Sequence, residues 1–485
     1  MNNTSTSKKL SANYKNYQAK RVSHWNQIAK KSDEWKDCSK YYRKYLQKIL
    51  RFVVPPEHRV IEIGCGQGDL LASLKPSYGV GVDFSAKMIA RAKNRYPNLR
   101  FKHADAHEIN LKTDFDFIIL SDLVNDLWDV QLVFEKIKAL TRPSSRIIIT
   151  CYSKLWELPL RIIRKFGLAK PTLSQNWLTV EDISGLLYLA DFEFIRQWEE
   201  IIWPMRTPVL GTLLNRFIAK IWPFRWFALT NVIIARPCPA PVPVLESPKV
   251  SVVIPARNEA GNVGRIFATV PEMGSGTELI FVEGHSTDNT YQTIKKAINA
   301  NPHRQSVLLR QKGKGKGDAV RLGFEHASGD ILMILDADLT VSPEDLPRFY
   351  DVLTSGKGDF INGVRLVYPM EKKAMRFFNL LGNKFFSLAF SWLLGQPIKD
   401  TLCGTKVLWK KDYEKIAENR AYFGDFDPFG DFDLLFGAAK LNLKISEVPI
   451  RYRERKYGTT NIQRWKHGWL LLRMVIFAAK KIKFI

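Results

Sequence analysis

VIEIGCGQGD, residues 60–69, decides the first fold. A short β-branched run of this kind is a buried strand. The glycines behind it, Gly64, Gly66 and Gly68, let the backbone turn sharply into a helix whose first N–H groups face a ligand. Asp83 closes the next apolar run about 20 residues on, where a carboxylate can accept hydrogen bonds from both ribose hydroxyls. A dinucleotide site would need G-x-G-x-x-G, but the sixth position counted from Gly64 is Asp69. The turn therefore suits a nucleoside ligand of another kind.

Outward from this turn the same rhythm continues: strands at 60–63, 79–83, 100–103, 115–120 and 146–150, with helices between them at 85–95, capped by Ser85, and 132–140. Strands alternating with helices mean α/β layering around a largely parallel sheet. Before the first strand, 14–50 reads as a basic helical segment, and twelve Lys/Arg against three Asp/Glu give residues 1–50 a charge of +9.

The order E-x-G-x-G-x-G, then Asp83, then His103-Ala-Asp105 after the third strand and Ser121-Asp122 after the fourth, resembles the class I S-adenosylmethionine-dependent methyltransferases. The resemblance implies S-adenosylmethionine as cofactor, with Glu62, Gly64, Gly66 and Gly68 at its methionine end, Asp83 on the ribose and Asp105 on the adenine amine. His107, Asp122, Asn125 and Asp126 fall near the expected methyl position and are candidates for acceptor contact. The stretch 151–236, rich in Trp and Pro, reads as an insert forming an acceptor pocket, a lipid-facing surface or plain core.

At 236–249 the sequence RPCPAPVPVLESPK places five prolines in fourteen residues, a stiff spacer between two catalytic units. The expected division is 1–50 basic helical, 51–236 methyltransferase, 237–249 linker and 250–485 a second α/β domain. Its strands are expected at 250–255, 278–283, 306–309, 331–335 and 359–363. Acidic residues follow three of them: Asn258-Glu259 behind Pro255, Glu283 with Asp288, and Asp336-Ala-Asp338. The carboxyl edge of an open α/β sheet is where ligands bind. Two carboxylates at i and i+2 can meet at one hard divalent cation, Mg or Mn, that neutralises a diphosphate leaving group.

Taken together, 250–485 resembles a family 2 glycosyltransferase of the GT-A fold, and within it the polyprenyl-phosphate glycosyltransferases of the dolichol-phosphate mannosyltransferase group. The resemblance implies a nucleotide-sugar donor (UDP or GDP) held by Pro255, Asn258, Glu259, Glu283, Asp288 and Lys316, with Asp336 and Asp338 on the metal. It also implies a polyprenyl phosphate acceptor. Two departures stand out: Glu283-Gly284 where the family commonly has two acids, and Thr340 where a Gln often follows the metal motif. Asn362, Arg365, Arg376, Asp400, Gly404, Lys406, Asp431 and Asp433 recur in the positions expected of this group. A phosphate monoester acceptor is already a nucleophile and needs cations, for which Arg365 and Arg376 are the candidates. A glycan hydroxyl would instead need a base, Asp400 or Asp431. That alternative, with one half serving only as a binding module, stays open.

Lys+Arg 73 against Asp+Glu 48 leaves a formal +25, which asks for an anionic partner. The first half lacks the D/N-P-P-Y/F loop of nucleic-acid methyltransferases, so no nucleic acid is expected. Ten Lys/Arg against one Glu give 451–485 another +9, so +18 of the +25 lies at the two ends. That placement suits an anionic membrane surface. The two most apolar windows, 377–395 and 469–479, are broken by Lys384 and Arg473, which predicts interfacial helices and no transmembrane span. Five scattered cysteines without a CxxC pair and a polar N-terminus fit a cytoplasmic protein on the inner membrane face.

Overall fold

The computed structural model describes residues 12–31, 38–165, 172–239, 247–368, 377–422, 430–455, 457 and 464–484. The chain divides into two compact units, Met1–Cys238 and Pro239–Ile485.

The first unit begins with α1 (Ala12–Lys31) and α2 (Cys38–Val53), followed by β1 (Arg59–Ile63), α3 (Asp69–Ser73), β2 (Tyr78–Asp83), α4 (Ala86–Arg95), β3 (Arg100–His103), β4 (Phe117–Ser121), α5 (Val130–Lys138) and β5 (Arg146–Tyr152). It continues through α6 (Glu157–Lys165), α7 (Val180–Leu189), β6 (Phe192–Glu200), α8 (Leu210–Arg216) and β7 (Thr230–Pro237). The sheet order is β3-β2-β1-β4-β5-β7-β6. Neighbours run parallel except β7, which is antiparallel to both β5 and β6. Alternate residues of β1 enter different cores: Val60 packs with α2 and α3 residues, Ile61 and Ile63 with those of α5. Both faces of the sheet are thus covered, which is why its strands read as continuous apolar runs. The Oγ of Ser85 accepts from the N–H of Met88, 3.2 Å away, and starts α4 as expected.

The stretch read as an aromatic insert supplies β6 and β7, so it completes the sheet. β6 escaped the reading because FEFIRQWEE carries too many polar residues for a buried run, and its register shifts between Phe194 and Arg196. The N-terminal helix also differs from a solvated face: Tyr14 and Arg21 are buried, and α1 packs on α4.

The second unit runs β8 (Val250–Ala256), α9 (Val263–Thr269), β9 (Thr277–Glu283), α10 (Thr290–Ala300), β10 (Ser306–Arg310), α11 (Lys316–His326), β11 (Ile331–Ile334), α12 (Leu346–Thr354) and β12 (Phe360–Val364). Then follow α13 (Phe377–Leu394), β13 (Lys406–Trp409), α14 (Lys410–Glu418), α15 (Asp431–Lys440), β14 (Ile445–Pro449) and α16 (Arg464–Ala478). Its sheet order is β10-β9-β8-β11-β13-β12-β14, with β13 antiparallel to β11 and β12. The chain moves outward from β8 to β9 and β10, then returns to lay β11 on the other side. The carboxyl ends of β8 and β11 therefore flank a topological switch point, where a crevice opens for ligand. β13 and β14, KVLW and ISEVP, were not anticipated from the sequence.

Among the described residues no helix is long and apolar enough to cross a membrane. One side of α13 enters the core through Phe386, Phe390, Leu393 and Leu394, while Leu381, Phe385 and Leu388 stay exposed. Spacing of four and three residues puts these last three on one stripe. The segment is thus half core and half apolar surface. Cys65, Cys151, Cys238 and Cys403 are free thiols.

Candidate active sites

In the first unit the loop after β1 has all three glycines at positive φ: Gly64 at 76°, Gly66 at 52° and Gly68 at 78°. A Cβ on Gly68 would stand 2.7 Å from Phe101, and one on Gly64 would stand 2.8 Å from Leu123. A Cβ on Gly66 would meet nothing within 4 Å. Gly66 is thus disfavoured for a side chain only by its positive φ, with open space beside it, whereas Gly68 is also kept small by packing. This difference makes a prediction. Gly66→Ala strains the backbone by about 1–2 kcal/mol and fills the cradle, so S-adenosylhomocysteine affinity falls at least about tenfold with folding retained. Gly68→Ala destabilises the unit by more than Gly66→Ala. Calorimetric titration beside thermal melting separates the two.

The loop is closed by its acids. Asp83 Oδ2 accepts from the N–H of Gly66 at 2.9 Å and Oδ1 from that of Ser85 at 2.8 Å. Burial raises its pKa, against those two hydrogen bonds. Glu62 is buried beneath the loop, where Oε2 accepts from the N–H of Leu71 at 3.0 Å, so it braces α3 from below. Asp105 Oδ1 accepts from the N–H and Nδ1 of His107 at 2.8 and 2.6 Å, and Oδ2 from Nε2 of Gln18 at 2.6 Å. His107 Nε2 in turn accepts from the N–H of Asp129 at 3.2 Å, which leaves the ring proton on Nδ1. Burial would raise Asp105, but the bonds from His107 outweigh it and hold the acid below the usual carboxylate range. His107, a candidate for acceptor contact, lines the same pocket and bonds to Asp105. Asn125 is buried as well, and its carbonyl accepts from the N–H of Asn176 at 2.7 Å.

One pocket collects Ile63, Gly64, Asp83 and Asp105 from the sheet edge with Tyr14, Gln18 and Arg21 from α1. Its empty volume is about 450 Å³, open mouth included. The α1 residues escaped the sequence reading because they belong to no motif; only the apolar and aromatic spacing of Tyr14, Tyr17 and Trp25 hinted that the helix had a buried side. At the rim, Asp126 accepts from Nε1 of Trp25 at 3.1 Å and lies 3.7 Å from the Arg21 guanidinium. Asp122, at φ 55°, accepts from the hydroxyls of Tyr42 at 2.9 Å and Thr150 at 2.8 Å. Burial raises both acids.

In the second unit three strand ends converge. After β8, Asn258 sits at φ 56° and its Oδ1 accepts from the N–H of Thr287 at 2.8 Å, tying this loop to the one after β9. Pro255, within β8, leads into it. Glu283 Oε1 accepts from the N–H of Ser286 at 2.5 Å, and Asp288 Oδ1 accepts from that of Thr290 at 3.0 Å. These three side chains therefore shape the loops that would frame a nucleotide. Asp336 Oδ1 pairs with Nζ of Lys316 at 2.7 Å. Burial would raise Asp336, but Lys316, Arg365 and Lys406 together pull it below the usual range. Asp338 Oδ1 accepts from the N–H and hydroxyl of Thr340 at 3.1 and 2.8 Å.

Arg455 escaped the reading. It donates through Nη2 to Asp338 Oδ2 at 2.5 Å and through Nη1 to Glu259 Oε1 at 3.1 Å. Burial raises Glu259 to about 7, with Arg455 opposing. Tyr457 lies against Gly261, and its hydroxyl is 3.4 Å from Asp288. Both residues come from beyond β14, far in sequence from every acidic partner.

Arg365 and Asp400 form a bidentate pair: Nε to Oδ2 at 2.7 Å and Nη2 to Oδ1 at 2.8 Å, with the Arg365 N–H also on Oδ2 at 3.1 Å. Asp400 has no exposed surface, and its carboxylate is taken up by Arg365. Asp431 Oδ1 lies 4.0 Å from both Lys316 and Lys406. Arg376 lies outside the described residues.

Fold and sites together define two α/β transferase units, one built around a nucleoside pocket and one around an acidic strand edge. Residues 56–193 match a methyltransferase domain and residues 251–417 match glycosyl transferase family 2, so the chain carries both domains. It is similar to the glycosyltransferase AglJ of Haloferax volcanii, 28% identical over 46% of this chain and 69% of that protein. It is also similar to the dolichol-phosphate mannosyltransferase of Pyrococcus furiosus, 29% identical over 44% of this chain and 59% of that one. Against the undecaprenyl-phosphate 4-deoxy-4-formamido-L-arabinose transferase of Salmonella paratyphi A the identity is 31%, over 43% of this chain and 61% of the relative. The chain thus spans less than two thirds of the last two proteins.

Proposed function

We propose that the chain is a bifunctional enzyme: an inverting transfer of a sugar from a UDP or GDP donor to polyprenyl phosphate, joined to an S-adenosylmethionine-dependent methylation. The observation that carries the sugar reading is the pairing of the acids. Both candidate bases lie against fixed cations, Asp400 on Arg365 and Asp431 near Lys316 and Lys406. Asp400 is moreover held below the usual carboxylate range by Arg365, against a burial that would raise it. Acids so placed are poor proton acceptors. With both candidate bases held this way, the site suits an acceptor that arrives already ionised.

Asp336 and Asp338 offer hard oxygen ligands at one strand end, and Arg455 already rests on the outer oxygen of Asp338 as a cation would. Mg or Mn is often bound by one or two carboxylates plus substrate phosphates, so this donor set fits the ion. Bound there, such an ion would neutralise the departing nucleoside diphosphate. Lys316 would add a fixed charge beside the diphosphate, and Glu259, Asn258, Glu283 and Asp288 would frame the nucleoside. The acceptor phosphate oxygen attacks the anomeric carbon as the bond from that carbon to the diphosphate breaks. Arg365 would orient the acceptor.

In the first unit Gly66 and Asp83 would hold the ribose and methionine end and Asp105 the adenine amine, once Gln18 yields its hydrogen bond. The exposed stripe of Leu381, Phe385 and Leu388, with Lys480, Lys481 and Lys483 at the end of the chain, supports contact with the membrane that carries the acceptor. Incubation with radiolabelled GDP- and UDP-sugars, polyprenyl phosphate and Mn should yield a labelled, acid-labile lipid. Transfer to an oligosaccharide with none to the lipid phosphate would replace this reading by the glycan one. A labelled methyl donor in the same mixture tests the other half.

A further inference from the structure

The first unit carries an apolar face that neither active site uses. Leu158 and Ile162, one turn apart on α6, and Trp222, Phe224, Trp226 and Phe227, in the segment after α8, are between 49% and 66% exposed. The two segments are adjacent: Nε1 of Trp156 donates to the carbonyl of Phe227 at 2.9 Å, and the N–H of Ser153 to that of Leu229 at 2.7 Å. Soluble surfaces seldom gather so many large apolar side chains.

The charges around this face are mostly basic. Every charged residue between 201 and 239 is basic, namely Arg206, Arg216, Lys220, Arg225 and Arg236, and Lys154, Arg161 and Lys165 flank or lie on α6 with Glu157 the lone acid. Lys220 is buried on Glu200 and Arg161 pairs with Glu157 at 2.9 Å on the surface, while Arg206, Arg216, Lys154 and Lys165 are exposed. Exposed tryptophans and phenylalanines set among cations are the composition of an interfacial membrane contact. Each such cation contributes about 1 kcal/mol near an anionic surface.

We propose that the methyltransferase unit docks on an anionic bilayer through this face. The face leads to the donor pocket: Arg164, in the last turn of α6, donates to Gln175 at 2.9 Å, and the next residue, Asn176, is bonded to Asn125 beside Asp126 at the pocket rim. Docking therefore brings that rim to the headgroups, where lipid-borne acceptors would meet it. All of these residues lie in the first unit, so the inference stands apart from the glycosyltransferase reading.

Hydrogen exchange of the full chain tests it, with phosphatidylcholine–phosphatidylglycerol vesicles against phosphatidylcholine alone. Peptides across 153–165 and 205–227 should gain protection with the anionic vesicles and much less with the neutral ones. The variant Trp222→Ser/Phe224→Ser/Trp226→Ser/Phe227→Ser should lose that gain while binding S-adenosylhomocysteine as before, and Arg161→Glu/Lys165→Glu should weaken it. Protection confined to 381–394 would overturn the proposal and leave membrane contact to the second unit. Protection of 205–227 already present without vesicles, whether or not it depends on protein concentration, would also overturn it, because the face would then be covered by this chain or a second copy.

Discussion

Asp338→Asn should lower sugar transfer by roughly three orders of magnitude, about 4 kcal/mol of transition-state stabilisation, and leave S-adenosylhomocysteine binding unchanged. The change keeps the shape of the side chain and removes its charge. Asn can still accept the two hydrogen bonds from Thr340, so the turn after β11 should survive. What goes is the anion that faces Arg455 and would hold the divalent ion beside the diphosphate. Asp336→Asn should be as severe for another reason, since it leaves the ammonium of Lys316 without its 2.7 Å partner. The measurement is the single-turnover rate at saturating donor, so that binding and chemistry separate. A loss below about tenfold would mean that these carboxylates shape the turn and take no part in the reaction.

The elements that were legible in the sequence share a physical cause. Strands β1, β2, β8, β9 and β11 are buried on both faces, so they are written as largely apolar runs, and each ends in the glycines or acids that make a ligand edge. Asp83, Asp336 and Asp338 could be placed from that pattern, whereas Asp105, behind the mostly exposed β3, came only from the family resemblance. β6 could not, because its mixed polarity hides its period. Nor could the α1 side of the first unit's pocket, where Tyr14, Gln18 and Arg21 reach residues more than 60 positions away through tertiary packing of α1 on α4. Arg455 is the sharpest case. It sits among five other basic residues between 451 and 466, so composition marks it as surface charge, whereas its position between Glu259 and Asp338 makes it part of the site. Arg365 and Asp400 were each read for chemistry; neither could be read as the other's partner across 35 residues.

Removing one member of that pair should be the most damaging change for stability. Asp400→Ala leaves a guanidinium that stays charged at every accessible pH in a site with almost no water, and breaking a buried pair from one side costs about 3–5 kcal/mol. Arg365→Ala should cost a similar amount at pH 7, but its cost should depend on pH. In the native protein Arg365 holds Asp400 below the ordinary carboxylate range, so that stabilisation is present above the unfolded pKa and is lost as pH falls through the folded one. Without Arg365, burial pushes Asp400 the other way, toward the protonated acid. The deficit of Arg365→Ala relative to the native chain should therefore shrink as pH is lowered from 7 toward 5, while that of Asp400→Ala stays level. Replacing both by residues of similar volume, Arg365→Met with Asp400→Leu, should cost less than either single change, because no uncompensated charge remains. Denaturant unfolding of the four proteins at several pH values reads all three expectations, and a pH-independent deficit for Arg365→Ala would show that Asp400 keeps its charge through other cations, Lys406 first among them.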